Sequence, residues 1–401
     1  MTKGARSIRG NRLNNKSVSS ERRLRRPGGK FAATGILLAL VGARVADSSV
    51  QAFHRTYGPK TSLLVSAPTL QWEVWPSEGA RVTSAEMRVN GDQVDAVYNS
   101  KLRRLEYHPS RPFLAGTYRV QCLVRVDDRL EVRKDWTFQV STNATPVLLA
   151  PSATQDAGLA EINAYRAKLG LEPAVQEDRL NAASLAHVKY LSQNNRTGHF
   201  EKPGEPGFVG ATPSDRLEAF GYVGGSWECV TYNSGNVQDS VRDLFNAPYH
   251  RIPFLQPGEL PVGTGMAGRN FSIKFGEGGK TGLTVSPADG QRGVPTSWDG
   301  NERPNPLRMH NSPQFKVGYP IVVSCFEDQA KLIVEDAWLK VDGVHVGLFV
   351  NSSENDDQLD NSIFLIPKKP LVPGKEYHVY LRASANGKSS IRKEWKFTTA
   401  P

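Results

Sequence analysis

Three histidines and Glu228, all between Ala182 and Arg251 of this 401-residue chain, are the residues most able to do chemistry. His187 falls inside a helical pattern, and His199 follows in Thr197-Gly198-His199-Phe200. Glu228 sits in Ser226-Trp227-Glu228-Cys229, and His250 in Ala247-Pro248-Tyr249-His250-Arg251. A neutral imidazole is a good ligand for zinc and similar divalent metals, so three imidazoles and a carboxylate can build a tetrahedral site. The same four side chains can line a ligand cleft, with Glu228 as the candidate catalytic group. No H-E-x-x-H occurs, so a metalloprotease helix is excluded and the signal rests on the assembly. Each residue also has a plainer reading. His187 shares its helix face with Leu180, Ala183 and Leu191, as a core histidine would. His250 precedes Arg251 near a helix end, where a cation is favoured. Arg216 beside Asp215 reads as a structural ion pair.

The elements that must position these residues are helical. Leu159, Ile162, Tyr165 and Leu169 form one stripe, stopped by Gly170. A second helix spans about Arg179 to Asn194 and carries His187. Thr212-Pro213-Ser214-Asp215 is a capping box opening a short helix that ends at Gly221. Val237, Val241, Leu244 and Phe245 share a face on a further helix, stopped by Pro248, and Phe271, Ile273 and Phe275 alternate as a strand. Helices with strands after and between them predict an α+β, or layered αβα, domain over 150–283.

The stretch from Leu159 to Gly276 resembles a CAP domain, in particular its bacterial secreted, SCP-like branch. The resemblance is carried by Gly170-Leu171-Glu172-Pro173 after the first helix, and by Leu180-Asn181-Ala182-Ala183 with Ala186-His187 on the second. Gly198-His199, Asp215-Arg216, Gly221-Tyr222 and Ala247-Pro248-Tyr249-His250-Arg251 follow in order, then Val262-Gly263-Thr264-Gly265 and Phe275-Gly276. Trp227-Glu228-Cys229 departs from the family's Gly-Glu-Asn, keeping the glutamate and replacing the asparagine. The second cavity glutamate of many eukaryotic members has no evident counterpart. The resemblance implies a cavity between helices and sheet, with His199, Glu228 and His250 transferring best and His187 beside them. It also implies lipid or small-ligand binding and surface interactions.

An internal repeat flanks this centre. Gly116-Thr117-Tyr118 and Lys134-Asp135-Trp136-Thr137-Phe138 recur as Gly374-Lys375-Glu376-Tyr377 and Lys393-Glu394-Trp395-Lys396-Phe397. Tryptophan follows tyrosine by eighteen positions in both. Val89-Asn90-Gly91 and Val341-Asp342-Gly343 are matching hairpin signals. Both copies alternate apolar and polar residues in short runs. They predict immunoglobulin-like β-sandwiches over 59–145 and 284–401, so the chain reads as multidomain. They resemble bacterial immunoglobulin-like modules, to which no chemistry is assigned. Val285–Pro306, rich in Gly, Pro and Asn, reads as an irregular, exposed lead-in to the second copy.

The formal charge of +10 looks like a nucleic-acid signal, but residues 1–30 hold ten basic residues against Glu21 alone. The remaining chain is nearly neutral, which argues against a nucleic-acid partner. This basic, disordered tail leads into Phe31–Ala43, and the segment 31–46 reads as a signal peptide or N-terminal anchor. The expectation is therefore an exported protein, extracellular or anchored at the outer face of the membrane, with membrane contact through that segment alone. Cys122, Cys229 and Cys325 are too far apart for a disulfide framework, and Cys122 and Cys325 fall at core positions. Four N-x-[ST] sequons stand at Asn143, Asn195, Asn270 and Asn351.

Two functions follow from the central cluster. The first is binding of a small hydrophobic or polar ligand, a lipid or a cell-surface component in a cleft lined by His187, His199, Glu228 and His250. The alternative is a metal-dependent hydrolase acting on an envelope or extracellular substrate. There Glu228 would activate water on a zinc-like divalent ion held by His199 and His250, with His187 as a further ligand. Cys229 lacks the oxyanion donors and companion groups of a nucleophile.

Overall fold

In a computed structural model, which describes residues 51–312, 316–327, 330–387 and 389–401, the alternating runs at both ends of the chain pair into sheets. The expectations for residues 1–46 lie outside the described residues. Among the described residues no helix is long and apolar enough to cross a membrane.

The two flanking modules are immunoglobulin-like β-sandwiches with the same strand order. In the first, Ala52–Gly58, Leu70–Pro76, Arg104–Tyr107 and Val97–Asn99 form one sheet. Ser62–Val65, Leu130–Thr145, Gly116–Val126, Val82–Val89 and Asp92–Val94 form the other. In the second, Leu283–Ser286, Ile321–Cys325, Ser362–Pro367 and Leu348–Asn351 face Gln291–Val294, Ser389–Thr399, Glu376–Ala385, Leu332–Val341 and Val344–Val346. Register repeats as well, with Val120 opposite Trp136 and Val379 opposite Trp395. Asn90 and Gly91 (φ 53° and 95°), like Asp342 and Gly343 (φ 49° and 78°), adopt the paired positive φ of a type I′ hairpin. Cys122 and Cys325 are free thiols in the two cores.

The tract Val285–Pro306 departs from the expected exposed lead-in. Ser286, Val294, Trp298 and Glu302 are buried, because the tract supplies two strands and packs against the central domain. Asn351 is also buried. Its amide donates to the Pro306 carbonyl (2.9 Å) and to Asp356 (2.7 Å).

The central domain has helices on both faces of a four-stranded sheet. Helices α1 (Ala153–Lys168), α2 (Asp178–Gln193), α3 (Pro213–Ala219), α4 (Val237–Asn246) and α5 (Pro248–Arg251) surround Ala174–Gln176, Leu260–Ala267, Asn270–Phe275 and Trp227–Thr231, in that sheet order. One face buries Ile162 of α1 and Val241, Leu244 and Phe245 of α4 against Val262, Phe271, Ile273 and Phe275. On the other face α2 lies directly on the strand Leu260–Ala267. A Cβ at Gly263 would come within 2.1 Å of the Asn181 nitrogen, and one at Gly265 within 2.4 Å of the Leu185 nitrogen. Asn181 accepts the Thr264 N–H (2.9 Å), and the Ser184 hydroxyl donates to the Gly263 carbonyl (3.0 Å), fixing the helix on the strand. The capping box at Thr212 forms as predicted. Arg166, buried, donates to the carbonyls of Glu172, Phe254, Gln256 and Gly258, pinning the turn after α1 to the end of the domain.

Candidate functional site

Glu228 is the centre of a buried charge cluster on the α2 face of the sheet. Its register partner across the strands is Lys274, and the lysine ammonium donates to its carboxylate. Arg216 of α3 donates to both carboxylate oxygens through Nη2 (3.0 and 2.9 Å), and His199 places Nδ1 2.9 Å from Oε1. Burial alone would raise the Glu228 pKa. The His199 hydrogen bond and the charges of Lys274, Arg216 and His187 outweigh it and hold the carboxyl well below its usual range. Burial pushes Lys274 down to about 8, against the upward pull of Glu228. An ionised carboxylate only accepts, so His199 carries its proton on Nδ1 and leaves Nε2 free. The His199 side chain is 40% exposed, so that nitrogen is open to solvent and ligand.

His187 lies behind this pair and has a different task. It is fully buried, with Nδ1 2.9 Å from Glu201 and Nε2 3.1 Å from the Gly198 carbonyl. A carbonyl only accepts, so Nε2 carries a proton and cannot ligate a metal. The ring therefore ties α2 to the loop carrying His199. Glu201 is held in turn by the Val209 N–H (2.9 Å) and stands 3.4 Å from Arg216 Nε. Arg216 also donates to the His199 carbonyl (2.9 Å). It does not form the expected pair with Asp215, whose carboxylate caps α3 by accepting the Thr212 N–H (2.9 Å).

His250 is not joined to Glu228. Its Nδ1 lies 2.6 Å from Oε1 of Glu302, a residue outside the central domain. Its carbonyl faces the Cys229 thiol at 3.6 Å. Cys229 is fully enclosed, and burial pushes its thiol well above the usual range, so it is not poised as a nucleophile.

His199, Glu228 and His250 line one cleft of about 1390 Å³; His187 does not reach it. The walls come from all three modules, with Arg55, Glu73 and Trp75 from the first sandwich, Trp227, Tyr249 and Glu277 from the centre, and Arg303, Gln358 and Asp360 from beyond it. The Glu73 pKa is raised from its ordinary value, first by burial and then by Glu277. These four side chains do not fit one shared four-ligand metal site. Glu228 is already shared by two cations, His187 spends both ring nitrogens, and His250 belongs to a different carboxylate. Among the described residues no three His, Cys, Asp or Glu side chains are grouped to hold a metal. The four-residue metal set expected from the sequence is thus corrected to two separate imidazole–carboxylate pairs and one internal strut.

Glu201, Lys274 and Glu302 were not singled out in the sequence. Glu201 stands two residues after His199, a spacing that could have marked it. Lys274 alternates with Phe271, Ile273 and Phe275 and so resembles a solvated position.

Residues 159–269 match the sequence model of the cysteine-rich secretory protein (CAP) family. Among solved structures, the chain is similar to an extracellular protein containing an SCP domain from Bacillus anthracis str. Ames, at 12% identity and TM-score 0.27, covering 56% of this chain and 67% of that one. It is also similar to the fibronectin(III)-like modules of CbhA from Clostridium thermocellum, at 7% identity and TM-score 0.18, covering 87% and 94%. CopC from Methylosinus trichosporium OB3b matches at 15% identity and TM-score 0.19, covering 24% of this chain and all (100%) of that one. No curated protein matches the chain.

Proposed function

Taking residues 159–269 as a CAP domain set between two β-sandwiches, we propose that this protein is exported and binds a polar small molecule or cell-surface component in the shared cleft. The observation that carries this reading is that His199 and His250, each backed by its own carboxylate, face one cavity walled by three modules. The cavity exceeds the ~300–1,000 Å³ of an ordinary small-molecule pocket, which suits an extended ligand. Its walls carry Arg55, Glu73, Glu277, Lys280, Arg303 and Asp360, so an acyl chain would lie against charged groups and leave them desolvated. That favours a ligand with hydroxyl, amide or charged groups over a lipid tail. Trp227, 40% exposed, adds one aromatic face for such a ligand to pack on. Export rests on the basic run and the apolar segment Phe31–Ala43 in the sequence.

Metal-dependent hydrolysis has no support in the residues around Glu228, for the reasons given above. Binding is tested by titrating the full chain with soluble oligosaccharides, short peptides and phospholipid vesicles, beside Trp227→Ala and His250→Ala. The expected result is affinity for a soluble polar ligand that falls at least tenfold in both variants. Binding to vesicles alone, or soluble-ligand binding indifferent to both substitutions, would overturn the reading.

A further inference from the structure

Helix α5, which carries His250, begins without the means to cap itself. Its N-cap residue is Ala247, which has no side-chain oxygen, and Pro248 has no N–H. The next two backbone donors, on Tyr249 and His250, need an acceptor from elsewhere. Glu302 supplies it from the tract that leads through the C-terminal sandwich. Oε2 accepts the Tyr249 N–H (3.2 Å) and Oε1 accepts the His250 N–H (3.0 Å). The Glu302 side chain is 0% exposed, and the same Oε1 stands 2.6 Å from His250 Nδ1.

The neighbours of His250 are fastened to the same module. The Tyr249 hydroxyl donates to Asp356 (2.5 Å), which Arg308 also holds (2.9 Å). Arg251, fully buried, donates to the Pro320 carbonyl (2.8 Å) and lies 3.4 Å from the Ser286 hydroxyl. Three consecutive residues of the helix are therefore set by a domain to which the sequence assigned no chemistry.

We propose that Glu302 is a positioning residue of the cleft: it fixes the His250 imidazole with its proton on Nδ1, so that Nε2 is presented to the ligand. The backbone N–H groups anchor the carboxylate as an acceptor, and an acceptor beside Nδ1 selects the tautomer protonated there. One wall of the cleft is then complete only when the C-terminal sandwich is docked. The use of Nε2 rests on the binding reading above, while the tautomer does not and can be measured without any ligand.

The test is a long-range ¹H–¹⁵N correlation spectrum of the full chain labelled on histidine nitrogen, recorded where imidazoles are neutral, with His250 assigned by loss of its signals in His250→Gln. Wild type is expected to show the Nδ1–H form. Glu302→Ala should convert the signal to the Nε2–H form that an unrestrained imidazole prefers. Tyr249→Phe, which removes a neighbouring contact to the same module, should leave the Nδ1–H form in place. A wild-type spectrum dominated by Nε2–H, an unchanged spectrum in Glu302→Ala, or conversion in Tyr249→Phe would each overturn the proposal. Should Glu302→Ala fail to fold, the wild-type and Tyr249→Phe spectra decide. Absence of ligand binding with the Nδ1–H form intact would count against the binding reading alone.

Discussion

The two imidazole–carboxylate pairs of the cleft look alike at the histidine and differ at the carboxylate. Glu228 accepts from His199 but also from Arg216 and Lys274, so it balances two buried cations. Glu302 accepts from His250 and from two backbone N–H groups, with no Lys or Arg side chain bonded to it among the described residues. The first carboxylate is part of the framework that joins α2, α3 and the sheet. The second belongs to one short helix and one interface. Proximity to a histidine therefore says little about what a carboxylate contributes; its other partners decide that.

This contrast orders the effects of substitution. Glu228→Ala should cost about 3–5 kcal/mol in urea unfolding, because it leaves the buried Lys274 without its carboxylate and the buried Arg216 with Glu201 alone. A loss under about 1 kcal/mol would show that Arg216 and Lys274 reach water and would break the contrast. Combining Glu228→Gln with Lys274→Met should be milder than the sum of the single losses, with a coupling of about 0.5–3 kcal/mol. Glu302→Ala is expected to cost about 1–3 kcal/mol, the range for leaving buried N–H groups without an acceptor. His199→Ala should cost about 1 kcal/mol, since the ring is part-exposed and Glu228 keeps Arg216 and Lys274, yet reduce ligand binding.

Acid titration sharpens the same distinction. Glu228 has a folded-state pKa below its unfolded value near 4.5. In the window below 4.5 the unfolded chain takes up a proton that the folded chain refuses. The stability from Glu228 is thus fully present above that pH and is lost as the pH falls toward the folded value. Glu228→Gln should flatten this acid limb in urea midpoints measured across pH. The smallest effect concerns Cys229, whose buried thiol should resist labelling in the native protein and react only on unfolding.

Much of the architecture was legible because it is written locally. The eighteen-residue interval from Tyr118 to Trp136 and from Tyr377 to Trp395 became two sheets with the same register, and Gly170, Gly221 and Pro248 stopped their helices where expected. His199 and Glu228, both singled out through the CAP resemblance, lie in hydrogen-bond contact. What escaped depends on distant packing. Lys274 has the parity of a solvent-facing residue, and the packing of α2 on that face makes it internal. The one sequence trace of that closeness is the pair Gly263 and Gly265, where side chains would collide with the helix. Glu302 belongs to a tract whose composition suggests exposure, and its burial follows from an Ala-Pro helix start fifty residues earlier. His187 shows only its apolar helix face in the sequence, because its acceptors, Glu201 and the Gly198 carbonyl, lie on a loop with no periodic signal.

The buried amide of Asn351 has a practical consequence for anyone producing this protein. Asn351-Ser352-Ser353 is an acceptor sequence for N-linked glycan, which is attached to chain that has not yet closed. In the finished module the same amide is committed to Pro306 and Asp356. In a glycosylating host, sugar transfer and module closure would compete for one nitrogen, and each molecule could complete only one of them. Occupancy at Asn351 would then record how quickly the C-terminal sandwich folds, and expression in such a host would divide the product into closed and permanently propped-open chains.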